Sequence, residues 1–313
     1  YAAAAVAGRV VPGRGARVRP LRLADVDPPQ LPGPGWVRVR PRLAGICGSD
    51  LATVDGHSSP YFEPIVSFPF VPGHEVVGDL DDGRRVVLVP ILTCEVRGVA
   101  PPCPQCRAGR PNRCERVAFG HLEPGLQTGF CESTGGGWST MLVAHESQLV
   151  AVPGDLTDEQ AVVVEPTACA VHAATQVADD GPVAVIGAGA LGLLTIAALR
   201  RRHPGLEVVA TAKHPHQRRL AGELGATVVC RPGELVRHVR SLTGSWLLDG
   251  RVAGGAPQVV DCVGSSDSLQ QALDVTAPGG TVHVVGMPGH TSLDLTGLWH
   301  KEIGIRGCYA YDP

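Results

Sequence analysis

Lysine is nearly absent. The 313 residues hold only Lys213 and Lys301, and arginine carries the rest of a basic count of 27 against 30 acidic residues. The net charge of -3 leaves no electrostatic footprint for nucleic acid. No apolar run approaches the roughly 18 residues of a membrane span, so no membrane partner is expected. The opening "YAAAAVAGRV" has no charged region ahead of its short apolar run and makes a poor signal peptide. It also lacks an initiator Met, so the expectation is that the first residues are missing. There is no internal repeat and no low-complexity segment. Ten cysteines are too sparse over this length for a disulfide scaffold. Without a secretion signal they read as thiols or metal ligands in a reducing compartment, which places the protein in the cytoplasm.

Hydrophobic residues make up 44%, enough for a sizeable core, and the length suggests two domains. The 40 Gly and 27 Pro are spread along the chain and signal many turns. Two kinds of pattern divide it near residue 155. Before that point, "WVRVRPRLAG", "RRVVLVP" and "GGGWSTMLVAHESQLVAVP" are Val-rich runs bounded by Gly and Pro, with little helical periodicity. After it, "LTDEQAVVVEPTACAVHAATQVA" opens with a cap at Thr157 and continues as a helix pattern. "PVAVIGAGALGLLTIAALRRRHPGLEVVATA" then reads strand, Gly turn, helix, strand. "LAGELGATVVC", "PQVVDCVGS" and "GGTVHVVGMPG" prolong the alternation. The expected architecture is α/β: a β-rich domain over 1–155 and a doubly wound parallel sheet with helices on both faces over 156–313.

Gly187-x-Gly189-x-x-Gly192 follows a four-residue apolar strand and opens an Ala/Leu helix at Ala190 and Leu191, the context that gives this motif meaning. Gly187 serves the tight turn, Gly189 the approach of a pyrophosphate, and Gly192 the packing of helix on strand, with the helix N-terminus toward the phosphates. About 20 residues further on, an NAD site places Asp or Glu for the ribose 2′-hydroxyl. Here Ala212 stands there, followed by Lys213, His214, Arg218 and Arg219. No carboxylate repels a 2′-phosphate and several cations are on hand, which favours NADP over NAD.

Cys103, Cys106 and Cys114 lie on "CPQCRAGRPNRC", a polar stretch with no core of its own. A structural zinc site is closed by four ligands, and Cys94 is the natural fourth. A metal would fold this loop. A second group is open: "GICGSD" supplies Cys47 and Ser49, "PGHEVVG" supplies His74 and Glu75, and "VEP" supplies Glu165. Thiolate, imidazole and carboxylate are zinc ligands, and a catalytic zinc keeps one position free.

With "GICGSD", "PGHE", "CPQCRAGRPNRC", "VEP", "VIGAGALG" and "VDCVG" in this order, the chain resembles the zinc-dependent medium-chain alcohol dehydrogenase family over essentially its whole length. The resemblance implies a GroES-like catalytic domain and a Rossmann cofactor domain. It implies a catalytic zinc at Cys47, His74 and either Glu75 or Glu165, a structural zinc at the four cysteines, and a homo-oligomer, dimer or tetramer. Glu165 points toward the polyol, sugar and threonine dehydrogenase branches. Ala52 stands where many relatives carry a proton-relaying His, and the end at "GCYAYDP" falls short of a return to the catalytic domain, so truncation is the expectation. The function expected is hydride transfer between a polyol- or sugar-like alcohol, or its carbonyl, and NADP, with Ser49 taking the alcohol proton. "DCVGSS" and "VVGMPG" end two strands and should line the nicotinamide side through Val263, Gly264, Val285, Gly286 and Met287. The rival readings are a zinc-free quinone or enone reductase of the same fold and a non-catalytic NADP-binding protein with structural zinc.

Overall fold

The computed structural model describes residues 3–4, 6–7, 15–18, 20–249 and 251–312. Most of the opening segment read above as a poor signal peptide, and Pro313 at the chain's end, lie outside them. The chain separates into two units, Tyr1–Glu165 with Asp312–Pro313, and Pro166–Tyr311.

The first unit is framed by a five-stranded antiparallel sheet, made of β1 (Trp36–Ala44), β2 (Val76–Leu80), β3 (Arg85–Leu88), β4 (Leu142–His145) and β5 (Leu149–Ala151) in the order β4-β1-β2-β3-β5. Val39, Val76, Leu80, Val86, Leu88, Leu142 and Ala144 form its core. The β1–β2 register slips between Pro41 and Leu43. Pro41 has no N–H to give a ladder, and β4 pairs with β1 only as far as Val39. The bulge lies just ahead of the segment that carries Cys47. Two features differ from the sequence reading. Residues that show little helical periodicity in the sequence contain α1 (Gly48–Val54), too short for its periodicity to register, whose N-terminus is stabilised where the Cys47 N–H donates to Asp50 Oδ2 at 2.9 Å. The cysteine loop contains α2 (Pro104–Arg107), with Pro at its first position.

The helix pattern after Thr157 is two helices, α3 (Asp158–Val162) and α4 (Val164–Gln176). Thr157 caps the first reciprocally with Gln160: its Oγ1 accepts the Gln160 N–H at 3.3 Å and Gln160 Oε1 accepts the Thr157 N–H at 3.0 Å. The break at Val163 has a local cause. Pro166 cannot donate to the carbonyl one turn back and is tolerated only in a first turn, so the helix restarts ahead of it. Ala161 and Val162 pack α3 on Val77 and Val87 of the first sheet.

The second unit is built on a six-stranded parallel sheet in the order β13-β12-β11-β6-β7-β8. Its strands are β6 (Val183–Ile186), β7 (Val208–Thr211), β8 (Val228–Cys230), β11 (Ala256–Asp261), β12 (Thr276–Val284) and β13 (Gly304–Gly307), with β9 (Trp246–Leu248) and β10 (Arg251–Ala253) as a separate hairpin. The connecting helices are α5 (Ala190–Arg202), α6 (Pro215–Glu223), α7 (Leu235–Thr243), α8 (Ser266–Val275) and α9 (Thr296–His300). Alternation along β6 shows the two covered faces. Val183 and Val185 join Ile196 and Leu199 of α5 and Ala221 of α6. Ala184 and Ile186 join Leu235 and Val239 of α7 and Ala272 and Leu273 of α8. The fold is the α/β arrangement expected, with the hairpin and the edge strand β13 as additions the sequence reading did not single out. Among the described residues no helix is long and apolar enough to cross a membrane.

Candidate active site and metal centres

Cys47 caps α1, and His74 and Glu75 end the segment that enters β2. One ligand atom from each of the three lies within 4.8 Å of the other two. The approach depends on a glycine: a Cβ on Gly45 would collide with Glu75 Oε2, and the Gly45 N–H donates to the Glu75 carbonyl at 2.8 Å. Asp50 organises the trio. Its Oδ2 takes the Cys47 N–H, and its Oδ1 lies 3.5 Å from His74 Nδ1. That is ion-pair distance but outside hydrogen-bond geometry, and both buried atoms lack a hydrogen-bond partner among the described residues.

Burial pulls the His74 pKa down, but the neighbouring Asp50 and Cys47 outweigh it and push the value up to about 10. Burial raises Glu75, against the pull of His74. Thiol, imidazole and carboxylate gathered in one pocket are a donor set that a divalent cation fits, with His74 Nδ1 on the Asp50 side. Ser49 sits in the first turn of α1, where its carbonyl accepts Thr53 Oγ1 at 2.8 Å. Glu165 opens α4 and is buried, and among the described residues it is not a member of the Cys47–His74–Glu75 group.

Cys94, Cys103, Cys106 and Cys114 bring their sulfurs within 4.8 Å of one another. Cys94 Sγ and Cys114 Sγ are 3.7 Å apart. A disulfide needs about 2.05 Å, whereas a tetrahedron with zinc–sulfur bonds of about 2.3 Å has edges of roughly 3.8 Å. The donor set therefore fits a closed zinc. Backbone N–H groups already point at the sulfurs, from Cys103 to Cys94 at 3.3 Å, from Cys106 to Cys103 at 3.5 Å and from Arg116 to Cys114 at 3.4 Å. Burial, with neighbouring thiols adding to it, drives Cys106 up to about 11 and Cys114 higher still. Cys103 falls to about 6, because N–H donors outweigh its burial.

Arg97, in the stretch between Cys94 and Cys103, is fully buried. Its guanidinium donates to the carbonyls of Leu92 at 3.2 Å, Phe119 at 3.1 Å, Leu122 at 3.3 Å, Glu123 at 3.2 Å and Gly125 at 2.6 Å. It ties the stretch around Leu92 to residues 119–125 of the same lobe, beside the buried apolar cluster that includes Leu92, Val96, Leu122 and Cys131.

In the second unit, Gly187 has φ +90, where a side chain would strain the turn, and a Cβ on Gly192 would collide with the Gly187 carbonyl. Gly189 precedes α5 without any side-chain cap, so the amides that open the helix at Ala190 and Leu191 are left for an anion. Thr211, at the end of β7, ties the turn down: its Oγ1 accepts the Gly187 N–H at 3.1 Å and its carbonyl the Ala188 N–H at 2.9 Å.

Next along, Ala212 is buried while Lys213 and His214 are exposed. Arg218 Nη1 donates back to the carbonyls of Ala212 at 3.2 Å and Lys213 at 2.8 Å, and Arg219 pairs with Glu223 at 2.7 Å. On the neighbouring strands Asp261 performs the service of Thr211. Its buried carboxylate accepts the N–H of Val263 at 2.9 Å, the N–H of Gly264 at 3.3 Å and Ser268 Oγ at 3.0 Å. Its carbonyl accepts Val285 at 2.9 Å and Gly286 at 3.0 Å. One residue thus joins the 263–264 turn to the 285–287 turn. Burial raises its pKa against the pull of these donors.

Two family models match this chain. "Alcohol dehydrogenase GroES-like domain" covers residues 33–154 and "Zinc-binding dehydrogenase" covers residues 190–313. The chain belongs to the zinc-dependent medium-chain alcohol dehydrogenase family. Among its relatives, L-idonate 5-dehydrogenase of Vitis vinifera is 27% identical over 93% of this chain and 78% of its own length. Sorbitol dehydrogenase of Bacillus subtilis (strain 168) is 26% identical over 88% of this chain and 75% of its own. A solved zinc-binding dehydrogenase of Sinorhizobium meliloti 1021, bound to NADP, is 25% identical and superimposes with a TM-score of 0.71 over 92% of this chain and 81% of its own. As a medium-chain dehydrogenase the chain is an oxidoreductase acting on alcohols. The sequence reading named the direct donors of these sites and gave no role to Asp50, Arg97, Thr211 and Asp261. Each is a polar residue lodged among apolar ones, which is the available signal, but what each one holds is set by distant segments.

Proposed function

We propose that this dehydrogenase moves a hydride between a polyol- or sugar-like alcohol and NADP, with one catalytic and one structural zinc per chain. The supporting observation is the Cys47, His74 and Glu75 trio, three unlike ligand types in one pocket with an unsatisfied buried Asp50 oxygen behind the imidazole. Cys47, His74 and Glu75 hold the catalytic metal in this reading, with Glu165 as the alternative carboxylate. What zinc supplies when bound there is Lewis acidity at the substrate oxygen. Asp50 orients His74 and fixes the Cys47 amide, while Ser49 takes the alcohol proton. The four cysteines hold the structural metal and so fold their own loop. Residues 1–155 act as the catalytic domain and 156–313 as the cofactor domain.

The Gly187–Gly192 turn would hold the pyrophosphate of NADP, which would supply the hydride acceptor. Lys213, His214 and the nitrogens of Arg218 not occupied by carbonyls meet its 2′-phosphate, where Ala212 offers no carboxylate. Val263, Gly264, Val285, Gly286 and Met287 line the nicotinamide. The assembly is a homo-oligomer, dimer or tetramer, in the cytoplasm. The test is metal analysis of the purified chain beside a turnover screen of polyols, aldoses and amino alcohols with NADP and NAD. Two zinc ions per chain and NADP-dependent turnover are expected. One zinc without turnover would leave a non-catalytic binding protein.

A further inference from the structure

Arg97 is the one lysine or arginine that is buried among the described residues, and it is buried completely. A cation taken out of water is costly unless an opposite charge stands near it. Its hydrogen bonds go only to neutral groups, since each acceptor of the guanidinium is a backbone carbonyl. Glu95, the nearest acid along the chain, is exposed. The groups whose charge bears on Arg97 are sulfurs. Burial lowers its pKa, and the charges of Cys131, Cys114 and Cys94 act in the opposite sense. The backbone explains why Cys94 is close. The chain turns there, with the Arg97 N–H donating to the Thr93 carbonyl at 3.0 Å and the Val99 N–H to the Cys94 carbonyl at 2.8 Å. Cys131 stands outside the four-cysteine group and donates its own Sγ–H to the Glu123 carbonyl at 3.4 Å, a carbonyl that Arg97 also holds. That leaves the four-cysteine group as the source of charge to set against the guanidinium.

Resting on the reading of the four cysteines as a zinc site, we infer that Arg97 is the counter-charge of that site. Four thiolates around a divalent cation leave two negative charges in excess. In a buried lobe such an excess is poorly screened, and one fixed guanidinium beside it offsets part of it. The coupling is reciprocal: Arg97 raises the affinity of the lobe for zinc, and bound zinc stabilises the buried Arg97. The carbonyls of Leu92 and of residues 119–125 serve this by fixing where the charge stands. The role differs from that of a tie between two segments, because it depends on the charge of residue 97 and not on its hydrogen bonds alone.

The test uses the full chain in a His74→Ala background, so that metal at the four cysteines is read alone. Zinc affinity is measured by competition with a chelating dye. The parent is compared with Arg97→Gln, which keeps hydrogen-bonding capacity without charge, and with Arg97→Lys, which keeps the charge on fewer donors. Arg97→Gln should bind zinc roughly tenfold to a hundredfold more weakly, the loss usual when a group just behind a metal's ligands is removed. Arg97→Lys should recover most of that affinity. Cobalt substituted for zinc gives a second readout. Its sulfur-to-metal charge-transfer band should move to longer wavelength in Arg97→Gln, because thiolates without a neighbouring cation give up electrons more readily, and should stay in place in Arg97→Lys. Melting curves at saturating zinc check that the variants fold. If Arg97→Gln does not fold, Arg97→Lys decides: affinity and spectrum close to the parent's support the counter-charge, and a loss in both overturns it. Equal affinity in Arg97→Gln and the parent, or an equal fall in both variants, also overturns it and leaves the zinc site standing. A parent that binds no zinc refutes the zinc site itself and the inference with it.

Discussion

The two units hold their candidate sites by opposite means. In residues 1–165 the chemistry falls to side chains: five thiols, an imidazole and a carboxylate, in two groups, are brought within 4.8 Å of their partners. In residues 166–311 it falls to backbone. The Gly187–Gly192 turn and the amides opening α5 offer N–H groups, and the polar side chains nearby, Thr211 and Asp261, act by holding backbone in place. A side-chain site fails outright when one member is removed, because nothing else carries its charge or lone pair. A backbone site degrades by degrees, because most of its donors survive any single substitution. The contrast gives the predictions below their order of size.

The largest effect is expected at the open trio. His74→Ala or Cys47→Ala should lower turnover by roughly a thousandfold or more, the several kcal/mol that Lewis-acid stabilisation supplies. NADP binding, followed by fluorescence titration, should survive, since its proposed donors belong to the other unit. Activity retained in His74→Ala would remove the metal from the reaction and erase the contrast on one side.

The closed site comes next. Cys106→Ser should cost one equivalent of metal and several kcal/mol of stability, a drop of roughly 10 °C in melting temperature. Metal content by elemental analysis and a melting curve check it together. An unchanged melting temperature would mean that Arg97 and its five carbonyl partners hold the lobe without the ion.

A third experiment asks whether the backbone-built unit depends on any side chain for stability. His283 is buried, with Nε2 2.8 Å from Gln258 Oε1, whose amide donates to Asp180 Oδ2 at 3.1 Å. Burial first, then the charge of Arg306, lower its pKa to about 4, with Asp180 pulling the other way. A depressed histidine pKa means that the neutral form is favoured in the fold. Its stability contribution is fully present above the unfolded value near 6.5 and is lost as pH falls toward 4. The loss should reach about 3 kcal/mol. Urea titrations at pH 7 and near pH 4 should show a steeper decline for the native chain than for His283→Gln, and parallel declines would deny His283 this part.

The smallest effects separate backbone support from direct contact. Thr211→Val leaves the Gly187 N–H without its acceptor and should weaken NADP and NAD binding alike, by roughly tenfold. Lys213→Ala should weaken NADP by about tenfold and leave NAD nearly unchanged. Equal losses for both cofactors in the Lys213 variant would sink the NADP preference and would not touch the dehydrogenase assignment.

Legibility in the sequence followed the same division. The thiol loop could be read because cysteines on a stretch with no hydrophobic run need a reason, and metal ligation is the available one. The glycine turn could be read because spacing and the flanking strand and helix are local. The helix α1 was missed because seven residues are too few for periodicity, and its N-terminus is fixed by the Asp50 carboxylate. The interruption at Val163 was missed because the apolar pattern runs through it, although Pro166 marks where it must fall.

What the sequence by itself determined is the inventory: which residue types lie near which turns, the alternation that makes a two-faced parallel sheet, and the motif order that marks the family. Those are matters of local spacing and residue chemistry. Only the tertiary structure brought Glu75 within 4.8 Å of Cys47 and His74, set Asp50 behind both, buried Arg97 among five backbone carbonyls of the thiol lobe, and had Arg218 spend part of its guanidinium on the loop it follows. Each of these depends on two segments meeting across the fold. Burial at the meeting point decides whether a polar group is held by protein or left to water, and spacing along the chain does not carry that information.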